Sequence, residues 1–270
     1  MSHIINKYRY SLILLRELVV TDFKLRYQGS ALGYLWSVLR PLFLFVILYF
    51  VFVYFLKVGS DVPHWPVGLL LGIIIWNFFS EVTNVGISSI VGRSDVIRKI
   101  NFPKYVIVLS SSVSALINLG INLLVLVVFM IINQVPPTWT MLLAPIFIIE
   151  VFLFAMGLAF LLSALFVKLR DVNYIWEIVM QGLFYGSVVI YPAKMIIERS
   201  PDLATLLLLN PVAQAIQDLR HVIISPAMPT LHTVGQNIWL SVIPFFMVVI
   251  TFIVGAIYFK KRSPYFAEDV

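Results

Sequence analysis

Three glutamates, Glu81, Glu150 and Glu177, fall inside long apolar stretches of this sequence. A carboxylate in hydrocarbon is costly and must face an interior or a wetted path. Two uses fit: lining a gate or polar pathway, or a buried hydrogen bond to Asn77, Asn84 or unwound backbone. No intramembrane Lys or Arg matches them, which disfavours a charge-relay pump. Other reagents of catalysis are scattered or missing. His3, His64, His221 and His232 sit in tail and loops with no second ligand at helical spacing, which argues against a zinc site. The absence of cysteine excludes thiol nucleophiles, disulfides and cysteine metal sites. No glycine is followed by lysine, so the phosphate-cradling loop ending in Gly-Lys-Ser/Thr is missing and the chain is not itself a P-loop ATPase.

Aromatic side chains are the second chemical resource. Tyr34, Trp36, Tyr49, Phe52, Phe78, Phe79, Phe184, Tyr185 and Tyr191 fall in the first, second and fifth apolar stretches. Sugar rings stack on such faces through their C–H edges, as cations do through charge. Trp and Tyr also form ordinary belts at membrane interfaces, the reading for Trp65, Trp76, Trp139 and Trp239. Collectively the aromatics permit a glycan path. The run from Gly29 to Leu42 adds small residues that allow close helix approach. Within it Pro41 should kink or start the regular helix, and Arg40 can snorkel or meet an acid.

The elements that carry these residues must lie in lipid. Of the 270 residues 61% are apolar and 12% charged, against about 45–50% and about 25% in soluble chains, and the mean hydropathy is +0.98. A membrane-crossing helix needs about 20 apolar residues. Windows of that kind run from Leu32 to Leu56, Val67 to Val91, Tyr105 to Ile132, Met141 to Val167, Asn173 to Tyr191 and Gly235 to Phe259, with Asn133 to Pro137 breaking the third from the fourth. All but four of the 19 basic residues (Lys57, Lys194, Arg199 and Arg220) then fall on the side holding both termini, which the positive-inside rule makes cytoplasmic. This accounts for the +6 net charge without nucleic acid. Met1 to Ser30 carries too many charges for a signal peptide. Its Tyr8, Leu12, Leu15, Val19, Phe23 and Tyr27 recur at helical spacing, which predicts an amphipathic helix over 1–31, in the membrane interface or against the protein's own cytoplasmic ends. The Pro-broken stretch 192–234 is expected to form short outer helices that dip into the leaflet or cap a cavity. The expected fold is an all-α integral membrane protein: six transmembrane helices over 32–270, an interface helix before them, and re-entrant or gate helices between spans five and six.

Several of these pieces, in this order, resemble the membrane subunit of bacterial type 2 ABC exporters, in the branch exporting cell-surface polysaccharides such as O-antigen, capsule, teichoic acid and rhamnose-rich glycans. They are Arg16-Glu17-Leu18, Lys24 to Ser30 running into Leu32 to Trp36 and Arg40-Pro41-Leu42, then Ile97 to Pro103, Arg170-Asp171-Val172, Leu209-Asn210-Pro211 and Tyr265 to Glu268. The resemblance spans essentially the whole chain. It implies a homodimer of six-span subunits in the bacterial cytoplasmic (inner) membrane, above two copies of a separate ATPase that binds ATP and Mg, with no cofactor on this chain. It further implies that the loop 92–104 docks on the ATPase through Arg93, Arg98, Lys99, Phe102 and Lys104, with a smaller contact at Lys168, Arg170 and Asp171. The segment 192–234 would form gate helices. A polyprenyl-pyrophosphate-linked glycan would enter near Arg26 and Arg40 and pass Tyr34, Trp36, Tyr49, Phe52, Phe184, Tyr185 and Tyr191. Two rivals differ in substrate or class: an ABC exporter of drugs or small lipids, and a polytopic lipid-linked sugar transferase. The latter needs clustered acids or histidines at one leaflet, and only the Asp171 and Glu177 pair approaches that.

Overall fold

The computed structural model describes residues 12–22, 24, 30, 32–99 and 102–269, without the side chains of Tyr34 and Ile238. Arg26, most of the predicted interface segment's remainder and the Tyr34 side chain lie outside the described residues. Helix is the regular structure throughout, and no strand occurs among the described residues.

Residues 12–22 are helical. Leu14 packs on the core while Leu12, Ile13 and Val20 stay exposed. Helix α1 (Trp36–Leu48) follows a 3-10 turn at Gly33–Leu35 and widens into a π-helical stretch, Tyr49–Phe55. Pro41 neither starts the helix nor ends it but lies inside it. A proline has no N–H for the carbonyl four residues back, here that of Ser37. The Asn122 side-chain amide, from a neighbouring helix, donates to that oxygen at 3.2 Å. The turn that follows needs Gly59, at φ 79°, because a Cβ there would sit 2.5 Å from the Trp65 ring.

Helix α2 (Trp65–Ser89) is the axis of the bundle: 78% of its apolar window is buried, against 11% to 44% in the other long helices. The short α3 (Ser94–Lys99) leads to α4 (Tyr105–Ile132), and α5 (Ala144–Lys168) follows a hairpin in which Gln134 takes a left-handed conformation. Both α4 and α5 pack along α2. The last long helix, α11 (Val242–Arg262), lies tightly on α5, where a Cβ on Gly157 would come within 2.7 Å of the Phe252 Cα. Between these two in sequence come α6 (Val172–Gly186), α7 (Ala193–Arg199), α8 (Pro201–Leu208), α9 (Pro211–Ile223) and α10 (Leu231–Gly235). The closing α12 (Phe266–Asp269) folds back on α3 and α5, with Phe266 buried on Phe259 at 5.2 Å between ring centroids.

Among the described residues, five helices are long and apolar enough to cross a membrane. The fifth predicted crossing, 173–191, is shorter as a helix: α6 has 15 residues, about 22 Å at 1.5 Å per residue against about 30 Å of hydrocarbon. It stops because Ser187 closes on the Leu183 carbonyl and Val188 turns to φ 55°. The last predicted crossing also starts later, since Gly235 belongs to α10 and Gln236 at φ 51° breaks the chain before α11. The segment 192–234 forms short helices as expected, and α9 is buried along nearly its whole length against α2, α5 and α11. Its N-terminus is capped by the Asn210 side chain, which accepts from the Val212 N–H at 3.1 Å.

Candidate functional site

A cavity of about 550 Å³ opens between α1, α2 and α4. Helical spacing makes it polar. On α2, Asn77, Ser80, Glu81 and Asn84 stand three and four residues apart and share one face; on α4, Asn118 and Asn122 do the same. Trp36, Ser37 and Arg40 close the third side from α1. Asn118 Nδ2 donates to Glu81 Oε1 at 2.7 Å, Asn122 Nδ2 to the Asn118 carbonyl at 2.8 Å, and Asn84 Nδ2 to Ser80 Oγ at 3.0 Å. One of these bonds joins α4 to α2 and the others stay within their own helices. Glu81 therefore meets an asparagine of α4, not Asn77 or Asn84 on its own helix. Other groups stay open: Arg40 and Asn77 make no hydrogen bond or ion pair among the described residues, and the buried Asn118 Oδ1 has no partner there.

A second hollow of about 390 Å³ lies between α2 and α6, lined by Trp76, Ser80, Met180, Gln181, Phe184 and Tyr185. Ser80 borders both spaces. Phe184 meets the Trp76 ring edge-on at 5.5 Å and Tyr185 at 5.4 Å, and the Tyr191 hydroxyl donates to the Tyr185 carbonyl. Of the aromatics expected along a path, Trp36 borders the polar cavity and Phe184 and Tyr185 form this shelf. Tyr191 ties the shelf down. Tyr49 instead packs on Phe45, which leans edge-on against Phe129 of α4, and Phe52 is half-buried on the core. Phe78 and Phe79 stack on Phe152 and Phe154 of α5, with Phe78 also at the cavity wall. The belt reading fits Trp139 and Trp239, which are exposed, and fails for Trp65 and Trp76, which are buried by the segment 192–234 and by α6. Glu150 is buried on α5 with neither oxygen hydrogen-bonded among the described residues, whereas Glu177 is exposed and accepts from Asn173.

The basic residues of the α2–α4 connection do different things. Arg93 is engaged inside the protein, pairing with Asp22 of the N-terminal helix and donating to Ser110 Oγ at 2.9 Å. Phe102 is turned inward, 4% exposed, with the Lys104 ammonium 5.8 Å from its ring centre. Arg98 and Lys99 end α3 and are exposed. Together with Lys168, Arg170 and Lys260 to Arg262 at the ends of α5 and α11, they make one end of the bundle strongly basic.

Sequence reasoning placed Arg220 in an outer loop; it is fully buried on α9. Its guanidinium donates to the carbonyls of Gly68 (3.0 Å), Val188 (2.8 Å) and Val189 (2.7 Å) and to Gln217 Oε1 (2.7 Å), and lies 4.7 Å from the centre of the Trp65 ring. It thus satisfies the backbone left open where α6 stops short. Also unread in the sequence were Asn118 and Asn122, although two asparagines four residues apart in an uncharged apolar run are a usable signal.

A multi-pass helical bundle with a polar, arginine-bordered cavity among its long helices and a basic end is built as a membrane transport subunit. The family model for the ABC-2 type transporter matches residues 13–224, and the chain belongs to that family. It is similar, at 29% identity over 258 residues and with 95% of each chain covered, to the O-antigen export system permease protein RfbA of Myxococcus xanthus. Two proteins of the same name from Klebsiella pneumoniae are 28% identical over 270 residues and 27% identical over 267, covering 97% of this chain and 98% of theirs. The chain is a multi-pass membrane permease subunit, not an ATPase.

Proposed function

We propose that this protein is the permease of an ABC exporter that moves a polyprenyl-pyrophosphate-linked polysaccharide across the bacterial cytoplasmic membrane. The observation that carries the reading is end-to-end similarity to permeases of O-antigen export, over 95% to 97% of the chain. Two subunits work as a homodimer on two copies of a separate ATPase, which binds ATP and Mg. Both termini and the basic end are cytoplasmic, and the exposed Arg98 and Lys99 of α3 face the ATPase. Arg93 and Phe102, held inside the protein, fix the shape of that docking loop. The fifth crossing is α6 continued by irregular chain to Tyr191, with Arg220 taking the place of helical hydrogen bonds. The aromatic shelf of Phe184 and Tyr185 gives sugar rings apolar faces to slide on.

Deletion of this protein in its host, with complementation, tests the reading. Loss of surface polysaccharide with lipid-linked glycan accumulating inside is the expected result. Normal surface polysaccharide, with a drug or small lipid retained in its place, supports the rival substrate.

A further inference from the structure

Resting on the export reading above, we propose that the cavity between α1, α2 and α4 is a saccharide-binding site: it holds the sugar units next to the phosphate of the lipid-linked glycan, with Arg40 beside the phosphate.

The side-chain chemistry selects this ligand class. A site for a bare anion would present donors alone, and a site for a cation would present clustered carboxylates. Here Asn77, Asn84 and Asn118 each offer an amide that both donates and accepts, which is what a sugar hydroxyl requires of its partner. Packing between helices does not account for all of them. Asn77 is unpartnered among the described residues, and the Asn118 Oδ1 is buried without a donor although its amide nitrogen is held by Glu81. The half-buried Asn77 amide is the open donor and acceptor that a hydroxyl in the cavity can meet. Trp36 at the rim, 44% exposed, supplies the apolar face that sugar C–H groups seek. The volume of about 550 Å³ lies within the range of about 300–1,000 Å³ of small-molecule sites. Arg40, unpaired among the described residues, is the one cation of those residues that lines the cavity and marks where a phosphate belongs. Ser80 borders both this cavity and the aromatic shelf, so the two spaces are neighbours on α2.

The full permease, assembled with its ATPase in liposomes, tests this by titrating ATP hydrolysis with two probes: polyprenyl pyrophosphate carrying an oligosaccharide, and the same lipid without sugar. Wild type is expected to respond to the sugar-bearing lipid at lower concentration. Asn77→Leu and Asn84→Leu should raise its half-maximal concentration about tenfold, which corresponds to about 1.4 kcal/mol, and leave the response to the sugarless lipid unchanged. Equal half-maximal concentrations in wild type and variants, or parallel shifts for both lipids, overturn the saccharide site while leaving the export reading standing. No response of wild type to either lipid overturns both. If the leucine variants do not assemble, Trp36→Leu, at the exposed rim, is measured in the same way, and an unshifted titration overturns the proposal.

Discussion

Two arginines in the transmembrane bundle, Arg40 and Arg220, have opposite surroundings. Arg220 is fully buried, and its guanidinium makes four hydrogen bonds, three of them to backbone carbonyls. Arg40 lines an open polar cavity and has no partner among the described residues. A buried charge persists only where its donors are matched, so Arg220 is a structural fastener between α2, α6 and α9. An unmatched guanidinium on a cavity wall is available to something that arrives. The difference teaches that in this fold burial with every donor nitrogen occupied marks a cation that holds the structure, while an exposed guanidinium with open donors on a cavity wall is one that can meet a ligand.

That contrast predicts a graded series of effects on stability. Arg220→Leu should be the most damaging substitution, since it leaves the Gly68, Val188 and Val189 carbonyls without this donor. At about 1–3 kcal/mol per unsatisfied group, the expected result is loss of monodisperse protein in detergent size-exclusion chromatography, with Arg220→Lys only partly restoring it. A stable, active leucine variant would remove the fastener role. Arg93→Ala comes next, at about 1–2 kcal/mol in thermal unfolding, because its bonds to Asp22 and Ser110 are largely but not fully shielded from water. Combining it with Asp22→Ala should cost less than the sum of the two single variants. Additivity would show that the N-terminal helix is held elsewhere.

The exposed Asp61–Lys194 pair should matter less. The hydrogen bond from Lys194 holds the Asp61 carboxyl below its ordinary range, and the same bond raises the lysine. A carboxyl with a lowered pKa adds stability above its unfolded value, near pH 4, and loses it only as pH falls through the still lower folded value. Lys194→Ala is therefore expected to lower the melting temperature by a small amount that is the same from pH 5 to pH 8 and disappears as pH falls below about 4. A difference that changes between pH 5 and pH 8 would mean that another titrating group is coupled to the pair. Arg40→Gln should disturb the fold least, with a melting temperature within about 2 °C of wild type, yet lower export clearly. Unfolding on that substitution would make Arg40 a second fastener and dissolve the comparison.

The long helices were legible because runs of 20 or more apolar residues have few alternatives, and the Asn133 to Pro137 break and the short helices of 192–234 carried strong Pro and Asn signals. The end of α6 was not legible. Nothing local marks Gly186 as its last residue, and what makes the stop tolerable is Arg220, more than thirty residues later. Burial of α9 was hidden for the same reason: nothing local marks Gln214, Gln217, Asp218 and Arg220 as buried, and their partners are one another and the backbone of distant turns. Among the path aromatics, sequence gives the helix but not the face, so Tyr49 and Phe52 could not be told from Trp36, Phe184 and Tyr185. The polar cavity was half visible, through Glu81 with Asn77 and Asn84. Its other wall, Asn118 and Asn122, takes meaning only when α4 is laid against α2.

The most direct test of the central claim is transport itself. Permease and ATPase are reconstituted in liposomes loaded with a polyprenyl-pyrophosphate-linked glycan, and the glycan reaching the opposite leaflet is measured after ATP is added. The account predicts ATP-dependent appearance that requires both proteins and falls in Arg40→Gln. No movement by an assembled complex, or equal movement of the lipid without its sugars, would contradict it.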